Sequence, residues 1–235
     1  MAEPAAPAQA RSGTEPRSLG ADATPRALAL VTIGAAWSLL FLAVYLVEGA
    51  TRPGYDPWTQ PVSALSLGPG GWLQQANFVA LGLAQIVAAL GWRWTLRPGP
   101  VAWPHPALRA LTGLGLVAAG IFSQDPTREY PPGAFHPTPT LHGEVHVLAS
   151  FVTFTALMVG CFVLAARFAR TPGWRGWAVY AVVTGLLTPV LIPIFGQLTE
   201  RGPAGLFERL AITVESILVA LVVGRLWLQR RRTPA

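Results

Sequence analysis

Residues 27–48 read ALALVTIGAAWSLLFLAVYLVE, a run whose only charge is its last residue, Glu48. A helix in a water-soluble domain keeps one polar stripe. This run is apolar at nearly every angle, so its surroundings are apolar too. Five further runs of the same kind lie at about 72–92, 107–123, 143–166, 176–196 and 206–228. A helix needs roughly 20 apolar residues to cross the hydrocarbon core of a bilayer. The expected fold is therefore all-α, a six-transmembrane-helix bundle over 27–228. A disordered tail over 1–26 precedes it, and a short basic tail over 229–235 follows.

Composition agrees. The chain has 235 residues, 52% of them hydrophobic, and a mean hydropathy of +0.44. The six runs take up so much of it that no separate soluble domain fits between them. The net charge is +6, and all 17 basic residues are arginine. These arginines flank apolar runs instead of forming a basic surface, which argues against nucleic acid and for membrane lipids as partners. The single cysteine, Cys161, lies inside the fourth run, so no disulfide can staple the chain internally. Residues 1–26 are rich in Ala, Pro and Arg. The first apolar run starts only near Ala27, which does not suit a cleaved signal peptide.

Arginine counting gives an orientation. Arg11, Arg17, Arg26, Arg93, Arg97, Arg109, Arg167, Arg170, Arg175, Arg225, Arg230, Arg231 and Arg232 fall on one side, 13 of the 17. Arg52, Arg128, Arg201 and Arg209 fall on the other. Both termini are expected in the cytoplasm and the protein in the plasma membrane. Glu48, Asp56, Asp125, Glu129, Glu144, Glu200 and Glu208 all gather on the outer side. The positive-inside rule does not place acids, so this second asymmetry has another cause.

The outer connections carry most of the residues able to do chemistry. The first runs Arg52-Pro-Gly-Tyr55-Asp56-Pro57 and on through Ser63 and Ser66 to a glycine-rich turn. Asp56 before Pro57 suits a helix cap and first helical position, with a short interfacial helix behind it. Asp56, Ser63 and Ser66 could line a pocket with Gln75 and Asn77, or could simply satisfy one another within a loop. The third connection holds Asp125, His136, His142, Glu144 and His146. Thr138 before Pro139 is a helix start. It places His142 and His146 at i and i+4 on one face, a spacing that suits shared ligation of a divalent metal such as zinc, with Asp125 or His136 as third ligand. The same pair could instead cap a helix by bonding loop carbonyls, or relay protons. The fifth connection contributes Glu200, Arg201, Glu208 and Arg209 as two ion-paired couples. Glu215 is the one acid well inside an apolar run, where a carboxyl is costly and faces the bundle interior. Pro189 and Pro193 are expected to kink the fifth helix and open space near it. No phosphate-binding loop, dinucleotide fingerprint, nucleophile elbow or paired-cysteine motif occurs.

Several of these stretches resemble the bacterial integral-membrane family known as domain of unknown function 998. They are Gly54-Tyr55-Asp56-Pro57 with Val62-Ser63-Ala64-Leu65-Ser66, Gly71-Trp72 to Asn77-Phe78, Asp125-Pro126, and His142-Gly143 with His146. The likeness covers about 30–225 and implies a six-span membrane protein with no assigned activity. A looser analogy links the chain to the transmembrane hydrolases that include alkaline ceramidases. Those combine Ser, Asp and three His around zinc, and His142, His146 and Asp125 look like part of that set. The chain departs from it in having six spans and no His four residues after Ser63 or Ser66.

Two expectations follow. One is a metal-dependent hydrolase centre for a lipid or envelope substrate. There Glu144 or Asp56 would be general base, and Ser63, Ser66 and Gln75 would orient the substrate. The other is a transporter, lipid-binding protein or structural membrane subunit, with Glu215 and the kinked fifth helix shaping a cavity.

Overall fold

The computed structural model of the chain describes residues 19–20, 23–126, 130–134, 138–198 and 202–232. It contains α1 (Pro25–Thr51), α2 (Gly71–Thr95), α3 (Pro104–Ile121), α4 (Leu141–Ala169), α5 (Arg175–Leu198) and α6 (Ala204–Arg232), and no strand among the described residues. Each apolar run overlaps one helix. Of the described helices, α1, α2 and α4 are long and apolar enough to cross a membrane, and α5 carries a shorter apolar stretch over Arg175–Leu191. The chain is a membrane protein of helical class.

Local chemistry sets the helix starts. Thr24 accepts a hydrogen bond from the Ala27 amide at 3.1 Å, and Pro25 opens α1 where its missing N–H costs nothing. α4 begins two residues beyond the expected Thr138-Pro139 start. Its cap is Thr140, which accepts from the Gly143 amide at 3.1 Å.

Each helix packs on the next in the chain, and α6 returns to α1, so the six form a closed ring. Where the surroundings are apolar, helices associate through close packing and polar contacts more than through burial of oily surface. The α2–α3 seam shows this, since a methyl on either Gly82 or Gly113 would strike the other's carbonyl. Large apolar side chains point outward from every helix, among them Leu46, Leu83, Leu114, Phe151, Val179 and Leu221.

Two apolar clusters close the ring. The larger joins Leu28, Trp92, Phe168, Trp174, Leu218 and Val222 near the arginine-rich end, and it includes Leu19 and Ala23. The folded part therefore starts before Ala27, inside the stretch expected to be a tail. The smaller cluster joins Phe41, Tyr45, Tyr55, Val62, Leu65, Phe78 and Tyr130 near the acid-rich end.

Candidate functional site

The first connection lies at the surface at both ends and is buried in its middle. After a turn in which Asp56 accepts from the Trp58 amide (3.0 Å) and the Thr59 hydroxyl (2.7 Å), the chain dips inward. It forms a 3₁₀ turn over Val62–Ser66, in which all five residues are buried. The expected interfacial helix is thus a short re-entrant segment. Irregular backbone in an apolar setting must be held by protein groups, and α6 supplies them. Glu208 accepts from the Val62 amide at 2.7 Å. Arg209 donates through one guanidinium nitrogen to the carbonyls of Pro57 (2.7 Å), Gln60 (3.1 Å) and Gly205 (2.8 Å), and through the other to the Tyr55 hydroxyl. The Tyr55 hydroxyl in turn donates to the Pro61 carbonyl at 2.8 Å. Burial holds the Tyr55 phenol above its ordinary pKa, so it stays protonated and able to donate. Glu208 and Arg209, adjacent in sequence, therefore pair with the loop backbone and not with each other.

The remaining predicted residues divide by location. Arg52 pairs with Glu48 one turn back and donates to the Pro69 carbonyl at 2.8 Å, which locks the end of α1 to the glycine-rich turn. Gln75 donates to Ser66 O at 3.3 Å. Asn77 bonds Phe41 O at 3.3 Å and Gln74 Oε1 at 3.1 Å. Ser66 Oγ donates to the Ser63 carbonyl at 2.6 Å. Glu144 is exposed on the first turn of α4. His136, Glu200 and Arg201 lie outside the described residues.

The histidine pair separates. His146 is 3% exposed, and its Nδ1 donates to the carbonyls of Phe122 (2.8 Å) and Ala119 (3.2 Å). These carbonyls sit at the end of α3, where no helical N–H is available to them. His142 is exposed and rests edge-on against Phe122. Positions i and i+4 differ by ~40° around a helix axis, and here the boundary between buried and exposed passes between the two. Asp125 gives one oxygen to the Thr140 amide (2.9 Å) and the other to its hydroxyl (2.6 Å). Among the described residues, no group of three or more His, Cys, Asp or Glu is placed to hold a metal. Of the donors expected to share zinc, His146 serves the end of α3, Asp125 the start of α4, and His142 lies at the surface.

Some of the outer residues do meet around a void. A cavity of about 570 Å³ is bounded by the re-entrant turn, α4, α5 and α6. One part of its wall holds Ser63, His146 and Glu208; the rest is largely apolar, including Val147, Phe151, Phe154, Met158 and Pro189. Val147 and Phe151 are 66% and 68% exposed, so this wall reaches the outer surface of the ring. A smaller void of about 60 Å³ shares Ser63, Ser150, Phe154 and Glu208 with it and reaches inward to Gln85 and Glu215.

Glu215 is paired. Arg109 donates to its Oε1 at 2.6 Å and to Gln85 Oε1 at 3.3 Å. Gln85 donates in turn to Ser38 Oγ at 3.0 Å. One network thus ties α1, α2, α3 and α6 in the ring's interior. Arg109 had counted as a loop arginine, yet it is 4% exposed within α3. His105, one turn before it and 1% exposed, was missed altogether. Its position near the start of the third run hid it, and the signal available was a histidine and an arginine four residues apart beside an apolar run.

No curated protein and no solved structure matches the chain. The family model described as protein of unknown function (DUF998) matches residues 32–225. With most of its length inside that match, this chain belongs to the family described as protein of unknown function (DUF998).

Proposed function

We propose that the chain crosses the plasma membrane six times with both termini in the cytoplasm, and that it holds an amphiphile taken from the bilayer. The observation that carries this reading is the cavity of about 570 Å³, apolar along α4 and α5, polar at Ser63, His146 and Glu208, and reaching exposed apolar surface at Val147 and Phe151. Its size falls in the range of small-molecule sites, which join apolar walls to a few convergent polar groups. The outward apolar side chains on all six helices support immersion on every side. The packed cluster around Trp92, Phe168 and Leu218 lies beyond Glu215 toward the arginine-rich end, which favours holding a ligand over conducting one. The arrangement of Ser66, Asp125 and the two histidines gives no comparable support to hydrolysis.

A photoactivatable fatty alcohol in nanodiscs tests this. Cross-links should concentrate between Ser150 and Met158 on α4 and near Thr188 on α5. Ser150→Phe, which fills the shared wall of both voids, should suppress them without lowering the thermal midpoint by more than a few degrees. Labelling spread equally over Leu83, Leu114 and Leu221, and indifferent to that substitution, would refute the reading.

A further inference from the structure

Resting on that reading, we infer that the cavity selects an amphiphile whose head group is a hydrogen-bond donor carrying positive charge, a protonated amine, and disfavours phosphate or carboxylate heads. The argument is an inventory of what the polar end presents. Glu208 is 6% exposed, and its Oε2 accepts from the Val62 amide. Among the described residues its Oε1 has no hydrogen-bond donor beside it, and the residue lines the void. His146 carries its proton on Nδ1, where it is donated to the Phe122 and Ala119 carbonyls, so Nε2 is left with a lone pair. The Ser63 hydroxyl and the Gln124 side-chain amide, which also lines the void, can each act either way. The neighbouring Thr188 hydroxyl already donates to Thr184 O at 3.3 Å.

No arginine lines the cavity among the described residues. The two that come near it in sequence or space are committed elsewhere. Arg209 is held by three carbonyls and the Tyr55 hydroxyl. Arg109 faces Glu215 and Gln85. Among the described residues, an anionic head would therefore meet a carboxyl and a lone pair with no compensating cation. An ammonium would supply the donors that these atoms lack, and a desolvated charge is tolerated only when it is paired. Discrimination here rests on repulsion of the wrong head as much as on attraction of the right one.

The test uses the full chain in nanodiscs and two competitors with the same chain, dodecylamine and dodecyl phosphate, against the photoactivatable fatty alcohol. The amine should displace the probe at about tenfold lower concentration than the phosphate, the scale of one charge pair. Glu208→Gln keeps an oxygen for the Val62 amide and should abolish that preference, read as the ratio of the two displacing concentrations. Equal competition by the two heads, or a preference that survives Glu208→Gln, overturns the head-group assignment while leaving the cavity intact. Absence of probe labelling in the cavity of the unaltered chain removes both.

Discussion

Arg109 and Glu215 lie 106 positions apart in the chain, and each makes the other tolerable. Either charge alone in the ring's interior would be left without a partner. Losing one partner of a buried pair costs about 3–5 kcal/mol, whereas replacing both by apolar groups of similar volume is often neutral or better. Arg109→Met and Glu215→Leu are each expected to lower the unfolding midpoint of the purified protein strongly, and the double substitution to recover most of it. Denaturant unfolding of all four proteins checks this. Additive losses would mean that the two charges are not coupled. Glu215 was legible in sequence because an acid inside a long apolar run has no local company. Arg109 was not, because it stands near the edge of the shortest run, two connections' worth of arginines away from looking unusual. At the same scale, the separation of Glu208 from Arg209 was invisible. Adjacent opposite charges suggest a pair, and only the re-entrant turn shows that each bonds to different backbone groups.

The start of α4 shows how a distant residue decides an element's boundary. Thr138 and Thr140 both precede the helix, and local preference favours Thr138 because proline follows it. Asp125, across the third connection, binds both the amide and the hydroxyl of Thr140 and so selects the later start. Gly143 makes the approach possible, since a methyl group there would collide with the Asp125 carboxylate. Gly143→Ala should therefore expel Asp125 and destabilise the protein by about 1–2 kcal/mol, the scale of a lost cap, although alanine is the better helix former. In the Asp125→Ala background the same change should cost little or even stabilise. A thermal-shift cycle over these four proteins reads the coupling, and a Gly143→Ala penalty that persists without Asp125 would assign the glycine another role. The same reasoning explains the histidines. Their i, i+4 spacing was plain in sequence, but spacing alone does not say where the edge between buried and exposed falls.

For the whole molecule, the order of polarity is the reverse of a soluble domain's. Gln85, Arg109, Glu215 and Ser38 are buried, while leucine faces outward from every helix. Unbroken apolar runs made the helices legible, because each run must satisfy its own backbone within one helix. The re-entrant turn at Val62–Ser66 was not legible, because its support comes from Glu208 and Arg209 nearly 150 residues later. Orientation still rests on arginine asymmetry, and moving Arg109 and Arg209, both buried within helices, out of the loops leaves twelve arginines against three. Site-directed labelling can test it directly. Cys161 is buried within α4, so Cys161→Ser gives a background without a reactive thiol. Thr138 is exposed before α4, and Gly176 is exposed on the first turn of α5 with no atom within 4 Å of an added side chain. In intact cells, a membrane-impermeant maleimide should modify Thr138→Cys at once and Gly176→Cys only after the membrane is opened. The reverse pattern would invert the topology, and equal labelling of both in intact cells would mean that the intervening helix, α4, does not cross the bilayer. Because α4 forms one wall of the cavity, that last result would also detach Val147 and Phe151 from lipid and close the route by which an amphiphile could enter.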